Sequence, residues 1–219
     1  MKGDQVSAHR VLVVENDPFT LTTIVSSLQF QRIFVAGQAL TARDALALQP
    51  TIDAEVALID LDLGVGPTGI DLAHALRAHQ PEIGLVILST FRDPRLLAPG
   101  MPKPPAGTAY LSKGDINDFT VVASQVVQAA REPLKPRATP ANELPQLTEA
   151  QVDVLRLVAD GQSTQAIAEA RNVSTKAVEQ TISRLCQLLD VPRDSQRNQR
   201  VRLARAFLEL TGKVEEDGG

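Results

Sequence analysis

The sequence predicts an α/β domain, built on a doubly wound, five-stranded parallel sheet, and a second, smaller all-α domain. Short apolar runs alternate with helical patterns through the first 130 residues, and closely spaced helical patterns follow a proline-rich interval. The chain has 219 residues. That length suits two modest domains at about 100 to 200 residues each.

Five apolar runs predict the strands of the sheet. Most are continuous rather than alternating, which is typical of parallel strands that are covered on both faces. They span residues 11–14, 33–36, 56–59, 85–88 and 109–111. Because repeated strand–helix alternation gives a doubly wound fold, we expect functional residues at the carboxyl ends of these strands.

Helical patterns follow four of the five strands, at residues 19–28, 42–48, 70–78 and 116–130. Asp115 is the expected N-cap of the last helix. The exception lies between the fourth and fifth strands, where residues 94–105 contain five prolines. Because proline interrupts helices, we expect this crossover helix to be short or absent.

Four prolines within residues 131–146 predict an extended linker. The predicted organisation is therefore an α/β domain of residues 1–130, this linker, an all-α domain of residues 147–212 and a polar tail of residues 213–219. No apolar run reaches the roughly 18 residues of a membrane span, and the N-terminus lacks the pattern of a signal peptide. We expect a cytoplasmic protein without membrane attachment.

Composition excludes some kinds of site. The single cysteine, Cys186, can form neither an intramolecular disulfide nor a thiolate metal cage. The net charge is −4, and residues 1–130 are acidic, with 9 Lys and Arg against 13 Asp and Glu. Residues 147–213 instead carry 10 basic and 8 acidic residues, including five arginines between positions 193 and 205. The two domains therefore differ in electrostatic character.

Polar side chains follow the predicted strands, at positions that converge on one crevice of such a sheet. They are Glu15, Asn16, Asp17, Asp60, Asp62, Ser89, Thr90 and Lys113. Clustered acidic oxygens suit Mg²⁺, while a lysine and a hydroxyl can hold phosphoryl oxygens. The predicted chemistry is phosphoryl transfer to a carboxylate.

Residues 9–130 resemble the receiver domain of two-component response regulators. The resemblance depends on VVENDP, LIDLDLGVGPTG, VILST and AYLSK, in that order at strand ends. It implies that Asp60 is the phosphoacceptor and that Lys113 binds the phosphate. It further implies that Ser89 is the switch hydroxyl and Tyr110 the aromatic switch. The Mg²⁺ ligands that it implies are Glu15, Asn16, Asp60 and the backbone carbonyl of Asp62.

Three features depart from the receiver pattern. Asn16 stands where the family usually has an aspartate, so we expect weaker Mg²⁺ binding, and Asp17 is one residue out of register to replace it. Thr90 stands where a small residue is usual. The proline-rich residues 94–105 replace the fourth helix, which belongs to the family's usual signalling and dimerisation face.

A rival interpretation uses the same aspartates. LIDLDLG also resembles the nucleophile motif of haloacid-dehalogenase-type phosphatases, in which the first aspartate attacks phosphate and the second is the acid/base. That interpretation leaves Glu15, Asn16 and the second domain unexplained. We keep it as a remote alternative.

In the second domain, Thr148, Ser163 and Ser174 are the expected N-caps of three successive helices. The second and third are separated by a turn short enough for a helix-turn-helix. Residues 147–192 resemble the LuxR-type DNA-binding domain, and with the receiver the chain is similar to the NarL/FixJ class of response regulators. The outward residues of the expected recognition helix are Ser174, Thr175, Lys176, Glu179, Gln180, Ser183 and Arg184.

Among these, Lys176 or Arg184 can read guanine and Gln180 adenine, while Ser174 and Thr175 meet phosphates. The arginines at 193–205 either add DNA contacts or form a basic face or dimer contact of the last helix.

The resemblance implies a transcription regulator rather than a turnover enzyme, phosphorylated on Asp60 by a sensor histidine kinase in the presence of Mg²⁺. Phosphorylation is then expected to control homodimerisation and binding to double-stranded promoter DNA. The alternative, motivated by Asn16 and the prolines, is a phosphorylation-independent regulator with a degenerate receiver.

Overall fold

The computed structural model describes residues 9–136, 147–191 and 198–211. These residues form two compact units. The first contains the described residues up to Ser89 and from Pro102 to Pro136. The second contains Thr90–Met101 and the described residues from Leu147 onward. The predicted tail, residues 137–146 of the predicted linker, Arg193 and Arg197 lie outside the described residues.

The first unit contains a five-stranded parallel sheet in the order β2-β1-β3-β4-β5, which confirms the predicted fold class. Its strands are β1 (Arg10–Val14), β2 (Phe34–Ala39), β3 (Val56–Asp60), β4 (Gly84–Ser89) and β5 (Ala109–Ser112).

Both faces of the sheet are covered, as the continuous apolar runs require. Val11 and Val13 of β1 belong to one buried apolar cluster, while Leu12 and Val14 belong to another on the opposite face.

Four helices belong to this unit: α1 (Pro18–Phe30), α2 (Ala42–Leu48), α3 (Gly69–His79) and α4 (Phe119–Arg131). The predicted start of α4 was wrong. Asp118, not Asp115, is the N-cap, with its side chain accepting a hydrogen bond from the backbone N–H of Thr120. Lys113–Asp115 instead form one turn of 3₁₀-helix, so Ile116 precedes α4.

Between β4 and β5, the only helical turn is the 3₁₀ segment Pro94–Leu96. The expected loss of a full crossover helix is therefore correct. Pro94 fixes its own backbone angle, and Asp93 caps the turn by accepting from the backbone N–H of Arg95.

The second unit contains α5 (Glu149–Ala159), α6 (Thr164–Ala170), α7 (Thr175–Leu188) and α8 (Gln199–Leu210). Thr148, Ser163 and Ser174 cap the first three, as predicted. Each helix contributes fully buried apolar side chains, namely Leu155, Ile167, Leu185 and Leu203. Cys186 is buried within this core. No described helix is long and apolar enough to cross a membrane.

Candidate functional site

Three polar side chains are buried at the carboxyl ends of adjacent strands. Glu15 directly follows β1, Asp60 ends β3 and Ser89 ends β4, and their exposed fractions are 2%, 7% and 1%. Because β1, β3 and β4 are neighbours in the sheet, their ends form a continuous edge. Buried carboxylates need compensating partners.

Lys113 supplies that compensation from the first turn after β5. Its Nζ lies 2.8 Å from Oε2 of Glu15 and 2.8 Å from Oδ1 of Asp60. The lysine side chain is itself only 24% exposed. One cation thus bridges two buried carboxylates, and the three groups together carry a charge of −1 when all are ionised.

Burial raises the pKa of Asp60 to about 6, although Lys113 opposes the rise; Glu15 and Asp62 add to it. Burial lowers the pKa of Lys113, but the charges and hydrogen bonds of Asp60 and Glu15 outweigh it and hold that pKa above its ordinary value. Lys113 therefore remains a cation, while Asp60 is poised between its neutral and ionised forms just below neutral pH.

Three other predicted polar residues at the strand ends, Asn16, Asp17 and Asp62, are exposed. Asp17 caps α1 by accepting from the backbone N–H of Thr20 at 2.7 Å, a hydrogen bond that lowers the pKa of Asp17. The backbone N–H of Asp62 donates to Oδ2 of Asp60 at 3.1 Å. Asn16 is exposed, and its amide lies beside Gly64. Asp17 is thus a helix cap, which explains its polar character without a ligand role.

No described group of three or more His, Cys, Asp and Glu side chains is arranged to hold a metal ion. A cation at the strand ends would depend on two carboxylates, those of Glu15 and Asp60, supplemented by neutral oxygens of Asn16 and Asp62. This oxygen donor set fits Mg²⁺, which usually retains several waters in proteins. A charge of −1 at the site is a weak attraction for a dication.

The structure places the two predicted switch residues close to this edge in the sheet register. Asp60 pairs with Leu88, directly before Ser89. Tyr110 is buried and pairs with Ile87, two residues before Ser89. Thr90 is exposed.

In the second unit, α7 has one buried and one open face. Val178, Ile182 and Leu185 are buried. Of the predicted outward residues, all are exposed except Ser183, which is half-buried. The side chain of Ser174 caps α7, since its Oγ accepts a hydrogen bond from the backbone N–H of Ala177. The open face of α7 therefore presents Lys176, Gln180 and Arg184 together.

Sequence analysis did not predict that Arg200 connects two helices through hydrogen bonds. Its guanidinium donates to Oγ1 of Thr164 at 3.2 Å and to the carbonyl of Gln162, which links α8 to the start of α6. Arg205 pairs with Glu209 on its own helix at 3.3 Å. The partners of Arg200 lie 36 and 38 residues away, so no local sequence pattern could have indicated them.

Residues 145–200 match the model of the luxR family of bacterial regulatory proteins. The chain is 28% identical over 198 residues to the response regulator protein VraR of Staphylococcus epidermidis, covering 84% of this chain and 91% of VraR. It is 26% identical over 184 residues to the transcriptional regulatory protein DesR of Bacillus subtilis, covering 83% of this chain and 90% of DesR. Residues 145–200 are a LuxR-type DNA-binding domain, and the chain as a whole is similar to response regulators.

Solved structures confirm the fold of this chain. RcsB, determined as two dimers bound to two parallel DNAs, has a TM-score of 0.57 at 21% identity, with 93% of this chain and 99% of that chain covered. RcsB from Salmonella typhimurium has a TM-score of 0.52 at 22% identity, with 90% and 98% covered. The chain thus combines a receiver-like α/β unit with a helix-turn-helix unit.

Proposed function

We propose that this response regulator accepts a phosphoryl group on Asp60 from a sensor histidine kinase and that the modification controls homodimerisation and binding to promoter DNA. The observation that carries the proposal is the bridge from Lys113 to Asp60 and Glu15 at the strand ends. A buried carboxylate beside a fixed cation is suited to receive an anionic group.

In the proposed transfer, a carboxylate oxygen of Asp60 forms a bond to phosphorus as the bond from phosphorus to the kinase histidine nitrogen breaks. The product is an acyl phosphate, and the histidine leaves as neutral imidazole after taking up a proton. Lys113 is already within 2.8 Å of Asp60 and can pair with a phosphoryl oxygen. Glu15 holds the lysine at this position through its own 2.8 Å contact.

Glu15, Asp60, the Asn16 amide oxygen and the Asp62 carbonyl would hold Mg²⁺, which supplies further positive charge opposite the transferred group. The Ser89 hydroxyl, at the end of the strand beside β3, can donate to the phosphoryl group. Phosphorylation adds about 1.5 to 2 negative charges. That change is large enough to bias the arrangement of Ser89 and Tyr110.

For the output, we propose that the open face of α7 enters the major groove of DNA. Lys176 and Arg184 have the hydrogen-bond donors that read guanine, and Gln180 has the paired donor and acceptor that read adenine. Two copies would occupy half-sites about one helical turn apart. RcsB, which has the same fold, forms dimers on DNA.

One specific observation favours a second candidate function. Asn16 leaves the carboxylate site with a charge of −1, so a phosphorylation-independent regulator, whose receiver serves for dimerisation or partner binding, is the alternative. Turnover catalysis is not part of either proposal.

The test is the intact mass of the wild-type chain and of Asp60→Asn after incubation with acetyl phosphate and Mg²⁺. We expect one phosphoryl adduct on the wild type and none on the variant. The absence of an adduct from both, even at high Mg²⁺ concentration, would favour the phosphorylation-independent regulator. An equal adduct on both would place the modification elsewhere.

A further inference from the structure

The segment Thr90–Met101, which we call the strap, belongs to the helix-turn-helix unit although β4 and β5 of the receiver unit flank it in sequence. The chain leaves β4 at Ser89, enters the strap at Thr90 and returns to the receiver unit at Pro102. The strap therefore begins at the residue next to the proposed switch hydroxyl.

Backbone and side-chain contacts attach the strap to both terminal helices of its unit. The backbone N–H of Arg92 donates to the carbonyl of Leu210, the last residue of α8, at 3.0 Å. The Nη1 of Arg95 donates to the carbonyl of Leu147 at 2.7 Å and to Oε1 of Glu149 at 3.1 Å. Leu147 and Glu149 flank Thr148, the N-cap of α5.

The orientation of Arg95 is set within the strap. Its Nε lies 3.0 Å from both carboxylate oxygens of Asp93, and its Nη2 lies 2.5 Å from Oδ2. This fork directs the remaining nitrogen, Nη1, toward α5. A planar guanidinium held on two sides is a more rigid connector than an ammonium would be.

Partial burial strengthens the Asp93–Arg95 pair and the bond from Arg95 to the Leu147 carbonyl, whereas the Glu149 side chain is 72% exposed and adds less. The side chains of Arg95 and Asp93 are 26% and 23% exposed. Phe91 and Leu96, on either side of the Asp93–Arg95 pair, are both buried. Partly buried, charge-assisted hydrogen bonds contribute more than exposed ion pairs, whose contribution is small. The prolines of the strap further restrict its backbone.

We propose that the strap is the element that couples the Asp60 site to the DNA-binding helices, with Arg95 as its anchor on α5. The proposal rests on the function proposed above. When the Ser89 hydroxyl moves to bind the phosphoryl group, Thr90 moves with it. Because the strap is hydrogen-bonded to Leu147 and Glu149 at the start of α5 and to Leu210 of α8, that displacement is transferred to the helices that support α7.

The test uses three full-length proteins: wild type, Arg95→Gln and the control Arg43→Gln. Arg43 is an exposed arginine on α2, so its replacement makes the same charge change away from the strap. For each we would measure the acetyl phosphate adduct by intact mass. We would also measure the affinity, with and without acetyl phosphate, for a duplex that the wild-type protein selects from a random library.

We expect the wild type and Arg43→Gln to share one ratio of phosphorylated to unphosphorylated affinity. Arg95→Gln should form the same adduct, yet its affinity ratio should fall to less than a third of the wild-type value. An unchanged affinity ratio in Arg95→Gln would overturn the coupling role of the strap but not the proposed function. A wild type that forms no adduct, or forms it without any change in affinity, would overturn the proposed function and the strap together.

A second measurement does not require the Arg95 variant to fold. Amide hydrogen exchange in the wild type, followed on a peptide that spans residues 90–97, should change on phosphorylation because the Arg92 N–H is hydrogen-bonded to Leu210. The milder variant Glu149→Gln should exchange faster in this peptide. Hydrogen exchange that is the same with and without the phosphoryl group would overturn the coupling role of the strap.

Discussion

The Nζ of Lys113 lies 2.8 Å from Oδ1 of Asp60, and both side chains are largely buried. Lys113 does not return the pKa of Asp60 to its ordinary value, because burial raises that pKa to about 6 in spite of the lysine. The proposed phosphoacceptor is therefore a carboxyl that is ionised at neutral pH but easily protonated below it.

Removal of the bridging cation should damage both stability and chemistry. Lys113→Met leaves two buried carboxylates beside each other, and we expect a loss of about 3 kcal/mol in the free energy of unfolding at pH 7, measured by urea denaturation. The loss should be smaller at pH 5, where protonation relieves the repulsion. Adduct formation with acetyl phosphate should fall sharply.

The matched control is Lys103→Met, which removes an exposed lysine of the first unit. It should leave unfolding and adduct formation unchanged. Equal stability of Lys113→Met and wild type at pH 7 would contradict the bridging role.

The pKa of Asp60 predicts an unusual pH dependence of stability. Since the folded value is about 6 and the ordinary value is 3.8, folding favours the protonated form. The stabilising contribution is present below about pH 4 and is lost as the pH rises through 6. The difference between the two values corresponds to roughly 3 kcal/mol at most.

Asp60→Asn has no such ionisation. The difference in unfolding free energy between Asp60→Asn and wild type should therefore grow in favour of the variant from pH 4 to pH 7, and urea denaturation at four or five pH values measures it. Parallel curves over this range would show that the pKa of Asp60 is close to its ordinary value.

Restoring a carboxylate at position 16 should strengthen metal binding. Asn16→Asp changes the charge of the site from −1 to −2, and we expect Mg²⁺ affinity to rise by about tenfold, which corresponds to roughly 1.4 kcal/mol. The Mg²⁺ dependence of the melting temperature measures the affinity, because a ligand that binds only the folded state stabilises it.

Asp17→Asn is the control, since asparagine also caps helices and Asp17 is assigned to capping α1. It should keep the wild-type Mg²⁺ affinity. Were Asp17→Asn to weaken Mg²⁺ binding as much as Asn16→Asp strengthens it, Asp17 would have to be a ligand.

Replacement of Lys176 and Arg184 together by alanine should abolish specific DNA binding without unfolding the chain, because both side chains are exposed on α7. Competition between the selected duplex and unrelated DNA measures the specificity. The double replacement of Arg43 and Lys103, two exposed cations of the first unit, removes the same charge and should leave specific binding intact. Unchanged affinity of the α7 variant would refute this reading face.

Much of the sheet could be predicted because buried parallel strands are continuous apolar runs. The edge strand β2 was predicted too short, since it continues through Gly37 and Gln38, residues that resemble a turn, to Ala39. The start of α4 was misplaced because Asp115 and Asp118 are both good N-caps. The 3₁₀ turn of Lys113–Asp115 leaves only Asp118 in the extended conformation of a cap.

The residues of the candidate site could be predicted from the sequence, but their electrostatic interactions could not. Strand ends in a doubly wound fold converge, so Glu15, Asp60 and Lys113 could be grouped from the sequence. That one lysine bridges both carboxylates depends on the burial and the distances of a folded edge. The anchor Arg95 could not be found at all, since its partners Leu147 and Glu149, at the start of α5, lie 52 and 54 residues away.

The most direct measurement of the central claim is the affinity of full-length wild type and Asp60→Asn for the selected duplex, with and without acetyl phosphate and Mg²⁺. We predict that the phosphodonor changes the affinity of the wild type by at least tenfold and leaves that of Asp60→Asn unchanged. Identical responses of the two proteins would contradict control of DNA binding through Asp60.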